Sequence, residues 1–174
     1  EEIEPVRLLN PMAENEAVLR TSQVPSMLRT IQWNLYHGIG DLQLYELGKI
    51  YRRGGERRSL ILAATGAIGK KSVHEPERQF SFFDLKGDIE ELLDVFNVNI
   101  SSGNGSIPAY YHPGRSVRMG DLVTFGELQR DYAEEYKFRQ RIYVAEFEVE
   151  MLLESTERRA IQPIPKLPSI RRDF

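Results

Sequence analysis

Four guanidinium groups crowd one short stretch of this 174-residue sequence, at Arg52, Arg53, Arg57 and Arg58. They flank Gly54-Gly55, so they fall around the turn of a predicted hairpin, where guanidinium groups can donate charge-assisted bonds to RNA phosphates. No aromatic residue stands between Arg53 and Ser59 to stack a base, so the pattern fits a solvated turn better than an RNA contact. A second group is acidic: Glu146, Glu148 and Glu150 alternate with Tyr143, Ala145, Phe147, Val149 and Met151, the period of a half-buried strand with its carboxylates on one face.

Other chemistry is absent by composition or fails on spacing. The chain has no cysteine, which removes thiol nucleophiles, thiolate metal sites and disulfides, and makes the cytoplasm the expected compartment. His37, His74 and His112 are far apart and lack a ligand at i+3 or i+4, so no metal site is assigned. Gly66-Ala67-Ile68-Gly69-Lys70-Lys71 lacks the four-residue spacing and the Ser or Thr of a phosphate loop. Gly103-Asn104-Gly105 lacks the third glycine of a dinucleotide fingerprint. No catalytic and no cofactor-binding residue is assigned. Lys plus Arg number 23 against 26 for Asp plus Glu, a net charge of −3, which argues against duplex nucleic acid held by the chain's own charge.

The elements that must position these groups follow from periodicity. Pro5–Leu9 reads as a short strand stopped by Asn10-Pro11. Pro25 at a first turn, with Met27, Leu28, Ile31 and Leu35 at helical spacing and Gly38 beyond, predicts a helix over about 24–37. Trp33 and Tyr36 lie off that stripe, which suits either an interface with another subunit or burial in the core. Leu42–Arg53 and Ser59–Ala67 about Gly54-Gly55 predict a β-hairpin, with Gly48 marking a bulge or a close backbone approach. Residues 70–79 read as a polar surface loop.

An amphipathic helix is predicted over about 83–96, with Leu85, Ile89, Leu92, Leu93 and Phe96 on its apolar stripe. A Ser/Gly/Asn loop over 101–106, a second hairpin over 116–126, a short acidic helix over 130–136 and a strand from Tyr143 to Met151 complete the core. The fold class is α+β, a mainly antiparallel sheet flanked by helices, with one core domain over 1–160 and a proline-rich linker over 161–174. The longest apolar run, Leu60–Ala64 with Ala67 and Ile68, is too short for a membrane span. The chain opens on Glu1-Glu2-Ile3-Glu4 without an initiator Met and reads as a segment of a longer polypeptide.

Specific strings go further than periodicity. Asn10-Pro11-Met12-Ala13, Val18-Leu19-Arg20-Thr21-Ser22, Pro25-Ser26-Met27-Leu28, Asn34 and Leu44–Tyr51 are followed by Phe83–Leu93, His112–Ser116, Gly126-Glu127-Leu128 and Pro168–Asp173. In this order, over residues 5–174, they closely resemble the β-subunit family of bacterial phenylalanine–tRNA ligases. The resemblance implies the catalytic-like core module of that subunit, a class II aminoacyl-tRNA synthetase-like fold without catalysis. It implies an (αβ)2 ligase in which the α subunit carries the reaction, ATP and magnesium serve the whole enzyme, and tRNA binds through the whole enzyme. It further implies a helix before residue 1, and a ferredoxin-like anticodon-binding domain after the linker; neither is in this chain.

The family's chemistry allows a check on these residues. Class II catalysis grips ATP phosphates with one arginine after the second motif strand and another in a glycine-rich motif near the end. Arg52 or Arg53 stands at the first position, but Tyr143–Leu153 has neither glycine nor arginine and has three glutamates, which repel phosphate. The chain departs from the family at Gln129, where His is usual, and at Thr124-Phe125 before Gly126, where a small residue is common. The expected role is therefore assembly with the α subunit, with Trp33 and Tyr36 as interface residues. The alternatives are a residual ligand-binding or regulatory site, and direct tRNA binding through the Arg52–Arg58 hairpin tip.

Overall fold

The computed structural model describes residues 5–7, 18–52, 54–69, 77–99, 103 and 105–156. Among these, α1 (Val24–Tyr36) precedes β1 (Leu42–Arg52), β2 (Gly55–Thr65), β3 (Ala67–Ile68) and β4 (Arg78–Gln79). Then come α2 (Phe82–Val95), β5 (Tyr111–Met119), β6 (Val123–Leu128), α3 (Arg130–Glu135), β7 (Ile142–Glu148) and α4 (Val149–Glu154). Five strands form one sheet in the order β1-β2-β7-β6-β5, and all of its pairs are antiparallel, as the α+β reading requires. β3 and β4 form a separate two-stranded sheet, and β4 lies inside the stretch predicted as loop.

α1 ends as its sequence predicts. Gly38 has φ +81°, and Ile39 N–H donates to Asn34 O at 3.0 Å while Gly38 N–H donates to Leu35 O at 3.1 Å. That bond pair is a Schellman cap, whose left-handed residue is cheapest as glycine. The stripe Val24, Met27, Leu28 and Ile31 is buried against Leu42, Ile61, Ala63, Ile142 and Val144 on one face of the sheet. α2 covers the other face: Leu85, Ile89 and Leu93 are buried with Phe125, Tyr143, Ala145 and Phe147. Leu92 and Phe96 are only half-buried at the margin of that cluster, so the centre of the α2 stripe is Leu85-Ile89-Leu93.

Three expectations are corrected. The strand predicted from Tyr143 to Met151 stops at Glu148, and Val149–Glu154 is helical. Its alternation is also incomplete, because β7 lies centrally between β2 and β6 and is buried on both faces over Ile142–Ala145. The first hairpin is longer than predicted: Arg52 pairs with Gly55, which places Gly55 in the strand. The second begins at Tyr111, and its ladder is irregular between Tyr111 and Ser116, which accommodates Pro113 where no ladder N–H is needed. Of the strand expected over Pro5–Leu9, Arg7 forms an antiparallel bridge with Val18, and residues 8 and 9 lie outside the described residues.

The start of α2 is fixed by charge. Asp84 accepts the Ser81 N–H at 2.9 Å and the Ser81 hydroxyl at 2.6 Å, and Arg78 grips both of its oxygens at 2.7 and 2.6 Å. Set in the first turn, the carboxylate also meets the positive end of the helix dipole. The Arg78 guanidinium, aided by Ser81, holds the Asp84 carboxyl at about 2, below its ordinary 3.8. The sign follows: this contribution to stability is complete above about pH 4, the range of a free aspartate, and is lost as pH falls toward 2. Denaturant titrations should therefore show a shallower acid loss of stability for Asp84→Asn than for the native chain between those pH values; equal slopes would assign the acid sensitivity elsewhere.

Candidate functional site

Strand alternation puts Arg57, Ser59, Ile61 and Ala63 of β2 on the same sheet face as Ile142, Val144, Glu146 and Glu148 of β7. α1 covers the apolar end of that face, packing on Ile61, Ala63, Ile142 and Val144. Beyond that packing the face turns polar and opens into a cleft of about 850 Å³, lined by Ser22, Arg52, Arg57, Tyr110, Glu146 and Glu148 among others. Of the three glutamates that alternate in the sequence, Glu146 and Glu148 lie inside a cleft, while Glu150, in α4, is turned to Arg58. Their spacing signals a shared face, and only the central position of β7 reveals which one.

The cleft floor is held by the chain's own bonds. One Glu146 oxygen accepts the Ser22 hydroxyl and the Gln23 N–H, both at 2.9 Å, and the other accepts the Tyr110 hydroxyl at 3.2 Å. Burial, with the Glu146 charge beside it, pushes the Tyr110 hydroxyl well above the ordinary phenol range, so it stays a donor. Arg52 reaches Glu148 at 2.7 Å.

The four arginines of the hairpin are therefore not one patch. Arg52 is paired in the cleft, and Arg57 lines the cleft with no ion-pair partner among the described residues. Arg58 lies on the opposite sheet face, where its side chain bonds Glu150 at 2.9 Å and holds that carboxyl below its ordinary range. Arg53 is outside the described residues. Two of the guanidinium groups offered to RNA are thus already met by glutamates.

Under the cleft, Gly48, Ser59 and Glu148 form one row across β1, β2 and β7. Gln23 and Ser59 are fully buried, yet both Gln23 amide atoms, Ser59 Oγ, Arg52 Nε and Glu148 Oε2 have no hydrogen-bond partner among the described residues. The ladder through Gly48 is unbroken, so the glycine marks a close approach and no bulge. A Cβ there would collide with the Arg20 guanidinium and stand 2.6 Å from Gln23 Nε2. Arg20 is itself held by Glu46 at 2.8 Å and by Lys49 O at 2.7 Å.

Trp33 and Tyr36 are 59% and 66% exposed, with Ile39 exposed beside them, and Trp33 stacks on His37 at 3.9 Å. Neither aromatic is in the core. A cluster the sequence did not signal lies on the second hairpin: Arg115 donates to the buried Glu127 at 2.9 Å and its other terminal nitrogen is 3.1 Å from His112 Nε2. His74 and Lys70-Lys71 are outside the described residues. Among the described residues no three metal-ligating side chains cluster, and no helix is long and apolar enough to cross a membrane.

Residues 1–149 match the family described as the phenylalanyl tRNA synthetase beta chain CLM domain. The chain belongs to that family. Among curated relatives, the phenylalanine–tRNA ligase beta subunit of Clostridium acetobutylicum is 31% identical over 97% of this chain and 22% of its own length. That of Geobacter sulfurreducens is 33% identical, over 97% of this chain and 23% of its own. That of Thermotoga maritima is 30% identical, over 98% and 23%. The chain spans about a fifth of the length of the curated relatives it matches.

Gly48 is the position at which the site and the sheet are most tightly coupled. Gly48→Ala should lower stability by about 1–3 kcal/mol, since the new methyl group must displace both Arg20 and the buried Gln23 amide. Chemical denaturation measures this; unchanged stability would show that the row beneath the cleft is loosely packed.

Proposed function

We propose that this chain is the non-catalytic core module of the β subunit of a phenylalanine–tRNA ligase, built to support assembly with the α subunit, where the ATP-dependent chemistry takes place. Family membership and an antiparallel five-stranded sheet flanked by helices support a class II synthetase-like fold without the catalytic grip. The module is residues 1–160, with 161–174 leading to a further domain of the same subunit. ATP, magnesium and tRNA are used by the whole (αβ)2 enzyme in the cytoplasm.

One observation carries the non-catalytic reading. Where a nucleotide triphosphate would need positive charge, Glu146 and Glu148 line the cleft, and among the described arginines that line it Arg52 is tied to Glu148 and Arg118 to Asp121. Carboxylates in a half-enclosed site repel phosphate oxygens. The assembly role is supported by Trp33, Tyr36 and Ile39, an aromatic and aliphatic group exposed at the end of α1. Large amphipathic side chains of this kind are typical anchors of protein interfaces.

Two outcomes are expected. Phenylalanine-dependent exchange of pyrophosphate into ATP by this chain alone stays at background; a signal that survives repurification and disappears with Arg52→Ala would place chemistry in this module. Trp33→Ala with Tyr36→Ala weakens α-subunit association measured by calorimetry and leaves the melting temperature of the chain nearly unchanged, because both side chains are exposed. Unaltered association would move the interface to another face.

A further inference from the structure

The cleft leaves two opposite charges unmatched by the chain. Glu146 accepts three hydrogen bonds, and all three donors are neutral: Ser22 Oγ, the Gln23 amide and the Tyr110 hydroxyl. No cation is paired with it among the described residues, because Arg52 is committed to Glu148. Arg57 lines the same cleft, exposed and without an ion-pair partner among the described residues. The sum is one open negative charge at the floor and one open positive charge at the rim.

We propose that this cleft binds a free α-amino acid as its zwitterion, the ammonium group on Glu146 and the carboxylate toward Arg57. Charge selects this class. With Arg52 held by Glu148 and Arg118 by Asp121, a polyphosphate meets three carboxylates and gains one unpaired guanidinium, a simple cation leaves Arg57 unmatched, and a neutral zwitterion answers both open charges. The volume of about 850 Å³ is ample for a side chain. The proposal does not rest on the assembly role, and it requires no reaction.

Calorimetric titration of the chain with L-alanine, L-leucine and L-phenylalanine, each compared with its N-acetyl and methyl ester derivatives, tests it. At least one free amino acid should bind saturably, and both of its blocked derivatives should bind at least about tenfold more weakly, about 1.4 kcal/mol each. Arg57→Gln should weaken the free amino acid and leave the methyl ester unchanged, whereas Glu146→Gln should weaken both. Because Glu146 also fastens Ser22, Gln23 and Tyr110, its variant can fail to fold; Arg57 is exposed and unpaired, so Arg57→Gln decides the matter by itself. Absence of saturable binding by all three amino acids at millimolar concentration, equal binding of the N-acetyl form, or indifference to Arg57→Gln overturns the proposal. None of these results bears on α-subunit association, so the two readings fail separately.

Discussion

Burial of β7 on both faces over Ile142–Ala145 is the constraint on which the other elements depend. A central strand must be covered twice, and the chain does this with α1 through Ile142 and Val144 and with α2 through Tyr143, Ala145 and Phe147. α2 packs along its face through Phe147, while the apolar stripe of α1 reaches only Val144 on the other. The next two residues on the α1 face, Glu146 and Glu148, are therefore left to form a cleft wall. The polar site is the direct result of where an apolar helix stops covering a strand.

Electrostatics then decides what that cleft tolerates. Two like charges about 4 Å apart at an effective dielectric of about 20 repel by about 4 kcal/mol, and an opposite pair gains a similar amount. With Arg52 offset by Glu148, a polyphosphate would set Arg57 against the remaining acidic charge of Glu146 and gain nothing net. Pulling Arg52 away from Glu148 is no remedy, because it strands a partly buried carboxylate. Tyr110, kept protonated by burial, and Ser22 fix Glu146 in place. The site is thus committed in its charge as well as its shape.

Helices whose stripes are long and whose ends are marked were legible in the sequence. Pro25 and Gly38 bound α1 within a residue or two, and Leu85, Ile89 and Leu93 chose the buried face of α2. The first hairpin was legible through its glycines, though Gly55 proved to be a strand residue. Exposure of Trp33 and Tyr36 was not decidable from helical spacing, because a residue off one stripe can still meet a second layer.

The least legible part was the end of β7. Alternation of apolar and acidic residues looks the same whether the acidic face meets solvent or a neighbouring arginine, and the turn into α4 after Glu148 has no Gly or Pro to announce it. The pairing of Arg52 with Glu148 joins residues 96 positions apart, and no local pattern encodes it. The same holds for Gly48, whose role is set by Arg20 and Gln23 arriving from before α1.

The proposed non-catalytic role requires that the cleft walled by Glu146 and Glu148 hold no polyphosphate. Titration calorimetry of magnesium-ATP into this chain tests it most directly. No saturable heat is expected at millimolar nucleotide, since Glu146 and Glu148 oppose the phosphates and Arg52 is already engaged. Saturable one-to-one binding that is lost with Arg52→Ala would contradict it.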